Sequence, residues 1–424
     1  MNLTSPSTQT SCADDSEIGS LHVDAALAAM LETVCPICGF EQIDIGDAVG
    51  RALHEAIVAP FDVPAHSNSA VDGYAVRAAD LPDPGGIAEL PVVGLTLAGR
   101  PYPAVLQGGQ ALRIMTGAAL PEGADTVLMQ EHVETLGSFI RISDRYQPGD
   151  NVRHAGEDIR RGETILRAGR YLTPADIGLI ASLGRGEVRV KRRLRVALLS
   201  TGDEIRGIGQ ALDAGCVYDS NRYTLTAALK RLGVRVSDLG ICPDQPERLK
   251  TALIGAADQA DVVITSGGVS VGEADYVKQI LAEIGEVRFW KVAIKPGRPI
   301  AFGQIGESTV FGLPGNPVAV MVTFYHFVLP VLERRMGLSE RPIVPTFKAR
   351  TTARLRKKPG RTEFQRGIIE PGEAGEWCVR PAGKQGSGIL RSMSLANAFI
   401  ILPHESGPVE PGEEVTVLPF AALM

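Results

Sequence analysis

The sequence contains no long uninterrupted hydrophobic run. Its most apolar stretch, residues 318–332, is broken by Thr323, His326 and Pro330 and falls short of the roughly 20 residues that cross a bilayer. It is expected to form a buried helix, with no membrane partner. Cysteine is sparse, at 6 in 424 residues, which excludes the dense disulfide framework of a secreted scaffold and fits a reducing compartment. Cys35 and Cys38 have the spacing of a redox dithiol or half a zinc site. No second pair follows, and Cys12, Cys216, Cys242 and Cys378 are scattered singly, so packing thiols are the simpler reading. Positive charge is not in excess. With 43 basic against 49 acidic residues the net charge is −6, so no broad basic face for a nucleic-acid backbone is expected. Residues 1–20 have neither the apolar core of a secretory signal nor the arginines of a transit peptide; a flexible tail on a cytoplasmic protein is the expectation.

A chain of this length holds two to four domains at roughly 100 to 200 residues each, and 44% hydrophobic with 22% charged residues is a globular balance. Apolar residues at helical spacing predict a helix over 23–34 and a second short one over 44–58, around AVGRALHEAIV. Between residues 60 and 161, glycine and proline punctuate short runs such as PVVG and TVLMQ, which predicts a small β-rich module. Thr173 before Pro174 pairs a capping residue with a first-turn proline, so a helix is expected to run to about residue 183. From residue 195 strands alternate with helices: RVALLS, a helix over 222–232, RVSDLGI, a helix over 245–257, DVVITS and a helix over 274–284. VRFWKVA, PIAFG, TVFGLP and a long helix after Pro317 complete the series. That order predicts an α/β fold with a doubly wound, mostly parallel sheet whose ligand sits beyond the carboxyl ends of its strands. From residue 344 only short strands with glycine and proline turns follow, which predicts a small β-barrel or sandwich.

Four loops of the α/β segment carry residues suited to an anionic, phosphate-bearing ligand. STGDE offers the hydroxyls of Ser200 and Thr201, the glycine freedom of Gly202 and the carboxylates of Asp203 and Glu204, which could hold a hard cation; a capped turn with solvated acids is the plain alternative. TSGGVSVGEADY is more specific. Gly267 and Gly268 permit close backbone approach, Ser266 and Ser270 offer donors, and a helix N-terminus is expected near Glu273. The loop matches neither the GxxxxGK[ST] phosphate loop nor the GxGxxG dinucleotide fingerprint. FWKVAIKPGRP brings Lys291, Lys295 and Arg298 within eight residues. Strand alternation would aim both lysines at one face, suited to an oxyanion, if one strand continues through both; an exposed basic edge is the alternative. In FGLPGNPVAV, Pro314 and Pro317 stiffen a turn, with Asn316 expected to cap the helix. Outside this segment, SNSAVDGYAVR and RIMTGAALPEGAD stand out, the first because Asn68, Ser69, Asp72 and Tyr74 exceed what a turn requires.

Together with GEDI at 156–159, these seven motifs resemble, in order, those of the molybdopterin molybdenumtransferases of molybdenum-cofactor synthesis, a family related to the catalytic domain of gephyrin. The resemblance runs from about His22 to the C-terminus. It implies insertion of molybdate into adenylylated molybdopterin with release of AMP, assisted by Mg2+ or another divalent metal. It also implies that Asp72, Thr116, Glu204, Asp244, Asp275, Lys291 and Lys295 line a catalytic cleft, that Asp244 and Asp275 hold the metal, and that Pro314 and Pro317 shape the floor. Ser200, Thr201, Gly202, Ser266, Gly267, Gly268 and Ser270 then form the pterin and phosphate cradle. Five parts are implied: a tail, 1–20; an α/β molybdopterin-binding domain, 21–41 plus 185–343; a linking domain, 42–60 plus 162–184; a β-rich module, 61–161; and a C-terminal β-barrel, 344–424. The implied assembly is a homodimer with each active site shared between subunits, with other enzymes of the cofactor pathway as possible partners. Two rival readings are a molybdopterin adenylyltransferase, which uses a similar α/β unit, and a non-catalytic molybdopterin-binding scaffold. The extra β-rich module weighs against the first, and the retained acidic and basic positions weigh against the second.

Overall fold

The computed structural model describes residues 20–143, 145–267, 276–339 and 344–423, so the expected tail falls almost wholly outside it. Six strands form the central sheet, in the order Arg235–Cys242, Arg195–Thr201, Val262–Ser266, Ser308–Leu313, Pro299–Ile305, Glu286–Lys291. The first four run parallel and the last two join by antiparallel pairing. Parallel strands covered on both faces need near-continuous apolar runs, and residues 196–201, 262–266 and 308–313 are all buried. One face carries helices Val23–Thr33 and Ser220–Arg231 and the long run from Pro317, in a core with Met30, Leu225, Phe311 and Phe327. The other face carries Pro246–Gln259 and Tyr276–Ile284, packed through Leu249, Leu253 and Leu281.

The long run is two α-helices, Pro317–Thr323 and Leu329–Arg335, joined by a π-helical turn, Phe324–Val328. Pro330 has no N–H to give the carbonyl four residues back. In the widened turn before it, the Leu329 amide reaches back to the Phe324 carbonyl, which absorbs the break without ending the helix.

From Arg195–Thr201 the chain passes through Ser220–Arg231 to the outer strand Arg235–Cys242. It then crosses back through Pro246–Gln259 to Val262–Ser266, on the other side of the starting strand. The reversal opens a crevice at the carboxyl ends of Arg195–Thr201 and Val262–Ser266, where ligands of such sheets bind.

Strands Phe40–Asp44 and Glu187–Lys191 pair antiparallel, as do Ile57–Val58 and Thr164–Leu166. Nearby, helix Pro174–Ser182 starts in a full capping box of Thr173 and Asp176. The helix expected over 44–58 is not formed. A 3₁₀ turn, Ile45–Asp47, and the short strand Ile57–Val58 appear there instead, because Gly50 takes φ +78° and the following amides bond across the chain. Leu53 N–H donates to the Arg170 carbonyl and His54 N–H to that of Arg189, while Ala52 accepts from Lys191. The apolar residues Ala48, Leu53 and Ile57 are buried as expected, but as an irregular segment threaded between strands.

In the β-rich module a six-stranded sheet runs in the order Thr126–Met129, Gly73–Val76, Ala111–Ile114, Ala88–Thr96, Phe139–Ile142, Val133–Leu136. Gly73 is required by packing, since a Cβ there would lie 1.8 Å from the Leu128 carbonyl oxygen. At the C-terminus Thr362–Pro371, Trp377–Pro381, Phe347–Thr351, Glu414–Pro419 and Ala398–Leu402 form a closed five-strand barrel, the ring completed by pairing of the last with the first. Its interior holds Val379, Ile400 and Val417. No helix among the described residues is long and apolar enough to cross a membrane.

Asp261, at the amino end of Val262–Ser266, ties these parts together. Its carboxylate accepts from both guanidinium nitrogens of Arg192, at 2.7 and 2.8 Å, and from the Arg195 amide at 2.8 Å. The two arginines hold the carboxyl far below the usual carboxylate range against the opposing effect of burial. A depressed pKa adds stability above the unfolded value near 4 and loses it as pH falls through the folded value. Because Arg192 and Arg195 are partly exposed and can rehydrate, Asp261→Asn should cost about 2 to 3 kcal/mol in urea unfolding at neutral pH. The gap between variant and parent should narrow as the pH is taken below about 4.

Candidate active site

The crevice opens into a cavity of about 890 Å³. Thr201, Gly202 and Glu204 reach it from the end of one central strand, and Ser266 and Gly267 from the end of its neighbour. Gly267 sits at φ +96°, its amide 3.1 Å from the Leu313 carbonyl, and a Cβ there would lie 2.4 Å from the Thr201 carbonyl oxygen. This close approach lets the two strand ends and the Leu313 loop meet, and only glycine fits it. Pro314, Asn316 and Pro317 form another part of the wall. Asn316 stands at the N-cap position but makes no side-chain cap bond, contrary to the expected capping.

Buried polar atoms gather at this end of the sheet. Among the described residues, the hydroxyls of Ser200, Thr201 and Ser266 and the side-chain oxygen of Asn221 are buried without a hydrogen-bond partner. Asn221 is held in place by its amide nitrogen, 2.7 Å from the Gly315 carbonyl. Orphaned buried groups are rare and costly, so their concentration beside a cavity marks a place where a polar ligand supplies the missing partners.

Charge of both signs lines the wall. Lys291, Lys295, Arg298 and Arg361 face Glu204, Asp219 and Asp244 in the same lining. Burial, aided by the nearby Asp203 and Glu204 carboxylates, pushes the Asp244 carboxyl above its ordinary value against a hydrogen bond from the Asp203 backbone, while the Asp244 amide donates to the Asp203 carboxylate at 3.1 Å. Asp219 is differently placed: it caps helix Ser220–Arg231 and is neutralised by Arg222 at 2.9 Å. The two lysines arrive from separate strands, not from one continuous strand as expected. Glu286–Lys291 is the sheet's edge, whereas Ile294–Lys295 leaves the sheet and pairs with Thr362 and Glu363 of the barrel. The break comes at Val292 and Ala293, whose amides go to the Arg298 and Leu21 carbonyls.

Asp72 and Thr116 are brought together, but not to this cavity in their own chain. The Thr116 amide and hydroxyl both donate to one Asp72 oxygen at 2.7 Å, and these bonds hold the exposed carboxyl below its ordinary value. Gly268, Ser270 and Asp275, with the helix start expected near Glu273, lie outside the described residues. Sequence reasoning missed the barrel's share: Arg361, Gln385, Gly386, Ser387 and Gly388 also line the cavity. Arg366, its ionisation pushed down to about 10 by burial, supports that loop by donating to the Lys384 and Gly386 carbonyls. The glycine-rich run GKQGSG at 383–388 was the available signal. Cys35 and Cys38 are exposed free thiols, and no cluster of three metal-ligating side chains occurs among the described residues.

A three-layer α/β unit with a polar crevice at its topological reversal, joined to a β-rich module and a closed barrel, defines a ligand-binding α/β protein. Residues 21–184 match the MoeA N-terminal region (domain I and II), 197–334 the probable molybdopterin binding domain and 348–420 the MoeA C-terminal region (domain IV). The molybdopterin molybdenumtransferase of Haemophilus influenzae is 44% identical over 95% of this chain and 100% of its own length. Gephyrin of Dictyostelium discoideum is 32% identical over 96% of this chain and 64% of its own. The crystal structure of the molybdopterin biosynthesis moeA protein from Pyrococcus horikoshii superposes with a TM-score of 0.82 at 30% identity, covering 95% of this chain and all of that one. The chain belongs to the molybdopterin molybdenumtransferase family, and is an enzyme of molybdenum-cofactor biosynthesis.

Two outcomes follow from the wall's chemistry. Gly267→Ala should displace the Thr201 or Leu313 loop and lower kcat/KM by at least about tenfold, since a misplacement of about 1 Å in a site costs that much or more. Asp244→Asn removes a carboxylate that burial and its neighbours disfavour in ionised form. It should therefore raise Tm at neutral pH by a few degrees, with the gain shrinking as acid protonates the parent carboxyl. A lowered Tm for the asparagine variant would show that the carboxylate is satisfied in place.

Proposed function

We propose that this chain inserts molybdate into the dithiolene of adenylylated molybdopterin, with cleavage of the pyrophosphate link and release of AMP and molybdenum cofactor. The observation that carries the reading is the pair of orphaned hydroxyls of Thr201 and Ser266 in a cavity wall that also bears Lys291 and Lys295, with the orphaned Ser200 hydroxyl buried outside that wall. Hydroxyl donors, a left-handed glycine and cations suit phosphate and molybdate oxygens together. In this reading Lys291 and Lys295 bind the oxyanion and withdraw charge from it, while Ser266 and Gly267, with Gly268 and Ser270, cradle the phosphates. Gly202 and Thr201 complete that cradle, Glu204 orients the attacking group, and Pro314 and Pro317 fix the floor.

The acidic residues fit a divalent cation such as Mg2+. Asp244 lies close enough to Asp203 and Glu204 for its ionisation to be disfavoured, a repulsion that a bound cation would relieve. Asp244 and Asp275 would hold it, and the ion would polarise the phosphoryl oxygens as the link breaks. Its test needs no turnover: Mg2+ should raise the Tm of the parent more than that of Asp244→Asn.

We take the active unit to be a cytoplasmic homodimer, with domain boundaries as expected from the sequence. The β-rich module of one subunit would face the α/β cavity of the other, so that Asp72 and Thr116 of the partner subunit complete the site. What supports this is that the Asp72–Thr116 pair is exposed and absent from its own chain's cavity.

Purified protein given adenylylated molybdopterin, molybdate and Mg2+ should release AMP in a molybdate-dependent manner and reconstitute a cofactor-free molybdoenzyme. Tight pterin binding without turnover would favour a scaffold, and rapid adenylylation of molybdopterin from labelled ATP would favour the adenylyltransferase. Asp72→Ala should abolish insertion and Lys295→Ala should cut it to about a hundredth of the parental rate, each leaving the dimer intact. Subunits of the two variants mixed after dissociation should regain about a quarter of parental activity, because half the dimers then carry one intact shared site. No recovery in proven mixed dimers would sink the shared site.

A further inference from the structure

The Lys295 ammonium has two spaces open to it. It lines the large cavity, and it also lines a smaller cleft of about 320 Å³ with Arg354, Arg356, Lys357 and Lys358. A lysine side chain is a flexible point charge with many rotamers, and the four cations of the cleft repel it toward the cavity without fixing its orientation there. A carboxylate from the barrel fixes it. Lys295 donates to one oxygen of Glu363 at 3.0 Å, where the lysine side chain is 49% exposed and the glutamate 4%. The second Glu363 oxygen accepts from the Gln365 amide at 3.0 Å, and that amide is itself fixed by the Arg356 carbonyl at 2.9 Å. Both carboxylate oxygens are thus engaged, so Glu363 cannot turn to follow a moving lysine. The backbones are locked as well: Lys295 is registered with Glu363 in a parallel pair, and the Thr362 amide bonds the Ala293 carbonyl at 2.8 Å.

We propose that Glu363 is a positioning residue for the insertion reaction, holding the Lys295 ammonium in the cavity wall in one orientation toward the substrate oxyanion. The inference rests on the assignment of Lys295 to the site made above. An ammonium has three donors. One is spent on Glu363, which leaves two for an oxyanion. Glu363 is too buried to touch substrate itself, so it acts through Lys295 and through the register of the strand pair.

The experiment compares single-turnover AMP release, with molybdate varied, for the parent, Glu363→Gln, Glu363→Asp, Lys295→Ala, Lys291→Ala and the double variants that combine Glu363→Gln with each lysine change. Glu363→Gln should raise the molybdate KM about tenfold, the order expected for loss of one charged hydrogen bond that orients a ligand. Glu363→Asp, which keeps the charge, should recover part of the loss. The decisive readout is coupling. Glu363→Gln should add almost nothing in the Lys295→Ala background and its full effect in the Lys291→Ala background. Equal losses in both backgrounds would overturn the proposal, as would a loss confined to kcat or a parental KM in Glu363→Gln. If Glu363→Gln does not melt like the parent, Glu363→Asp carries the same comparison. Parental kinetics in Lys295→Ala would instead sink the assignment of Lys295, whereas a defect there with none in Glu363→Gln sinks only the role of Glu363.

Discussion

Asp261 stands where three parts of the chain meet, at the end of the sheet opposite the cavity. Arg192, just past the linking strand Glu187–Lys191, and Arg195, the first residue of a central strand, both converge on its carboxylate. Its carbonyl accepts from the Thr309 amide at 3.1 Å, beside the start of a third strand, and from Arg335 at 3.1 Å, at the end of the long helix. These bonds fix the amino ends of the parallel strands against one another. Rigid strands then carry that alignment to their other ends, where Ser200 is level with Ser266 and Ser266 with Leu313. The loops that build the cavity leave from those residues. An ion pair remote from the chemistry therefore sets the spacing on which the chemistry depends, as precise sites on rigid elements require.

The Asp261 carboxylate and the polar groups of the cavity are treated in opposite ways. At the amino end every oxygen of Asp261 finds a donor. At the carboxyl end, hydroxyls are buried without partners, Gly267 takes a left-handed backbone against a carbonyl, and Asp244 is crowded by like charge. Each of these is unfavourable for the empty protein. Local choices that work against stability are expected where a ligand is to be held, and these three stand together at the crevice created by the crossing chain.

Most of the α/β layer was legible from sequence because its signals are local. RVALLS, DVVITS and TVFGLP are continuous apolar runs of strand length, the intervening helices have the right period, and STGDE and TSGG follow strands where a ligand is expected. The segment over 44–58 misled because Ala48, Leu53 and Ile57 are apolar for a core reached from three directions, and its amides are satisfied by residues more than a hundred positions away. Alternation could place Lys291 and Lys295 on one face only if a single strand ran through both, and the pairing that draws Lys295 away is with Glu363, 68 positions further on. The barrel's contribution was illegible for the same reason. Glycines at 383–388 look like a turn until Arg366 is seen to hold that loop in the wall.

The pairing of Ile294–Lys295 with Thr362–Pro371 changes what the barrel is for. Residues 363–371 of that strand pair within the ring, and Thr362 pairs only outside it. Glu363 is paired on one side to Leu402 within the barrel and on the other to Lys295 outside it. Any shear between barrel and sheet would have to break the Thr362 to Ala293 backbone bond and separate a buried carboxylate from its ammonium. Loss of a buried charge's partner is among the costlier local changes a fold can suffer. The same contact that closes the barrel against the α/β layer therefore also fixes a cation in the cavity wall, so that the site is a joint product of the two layers and could not be assembled by the α/β layer alone.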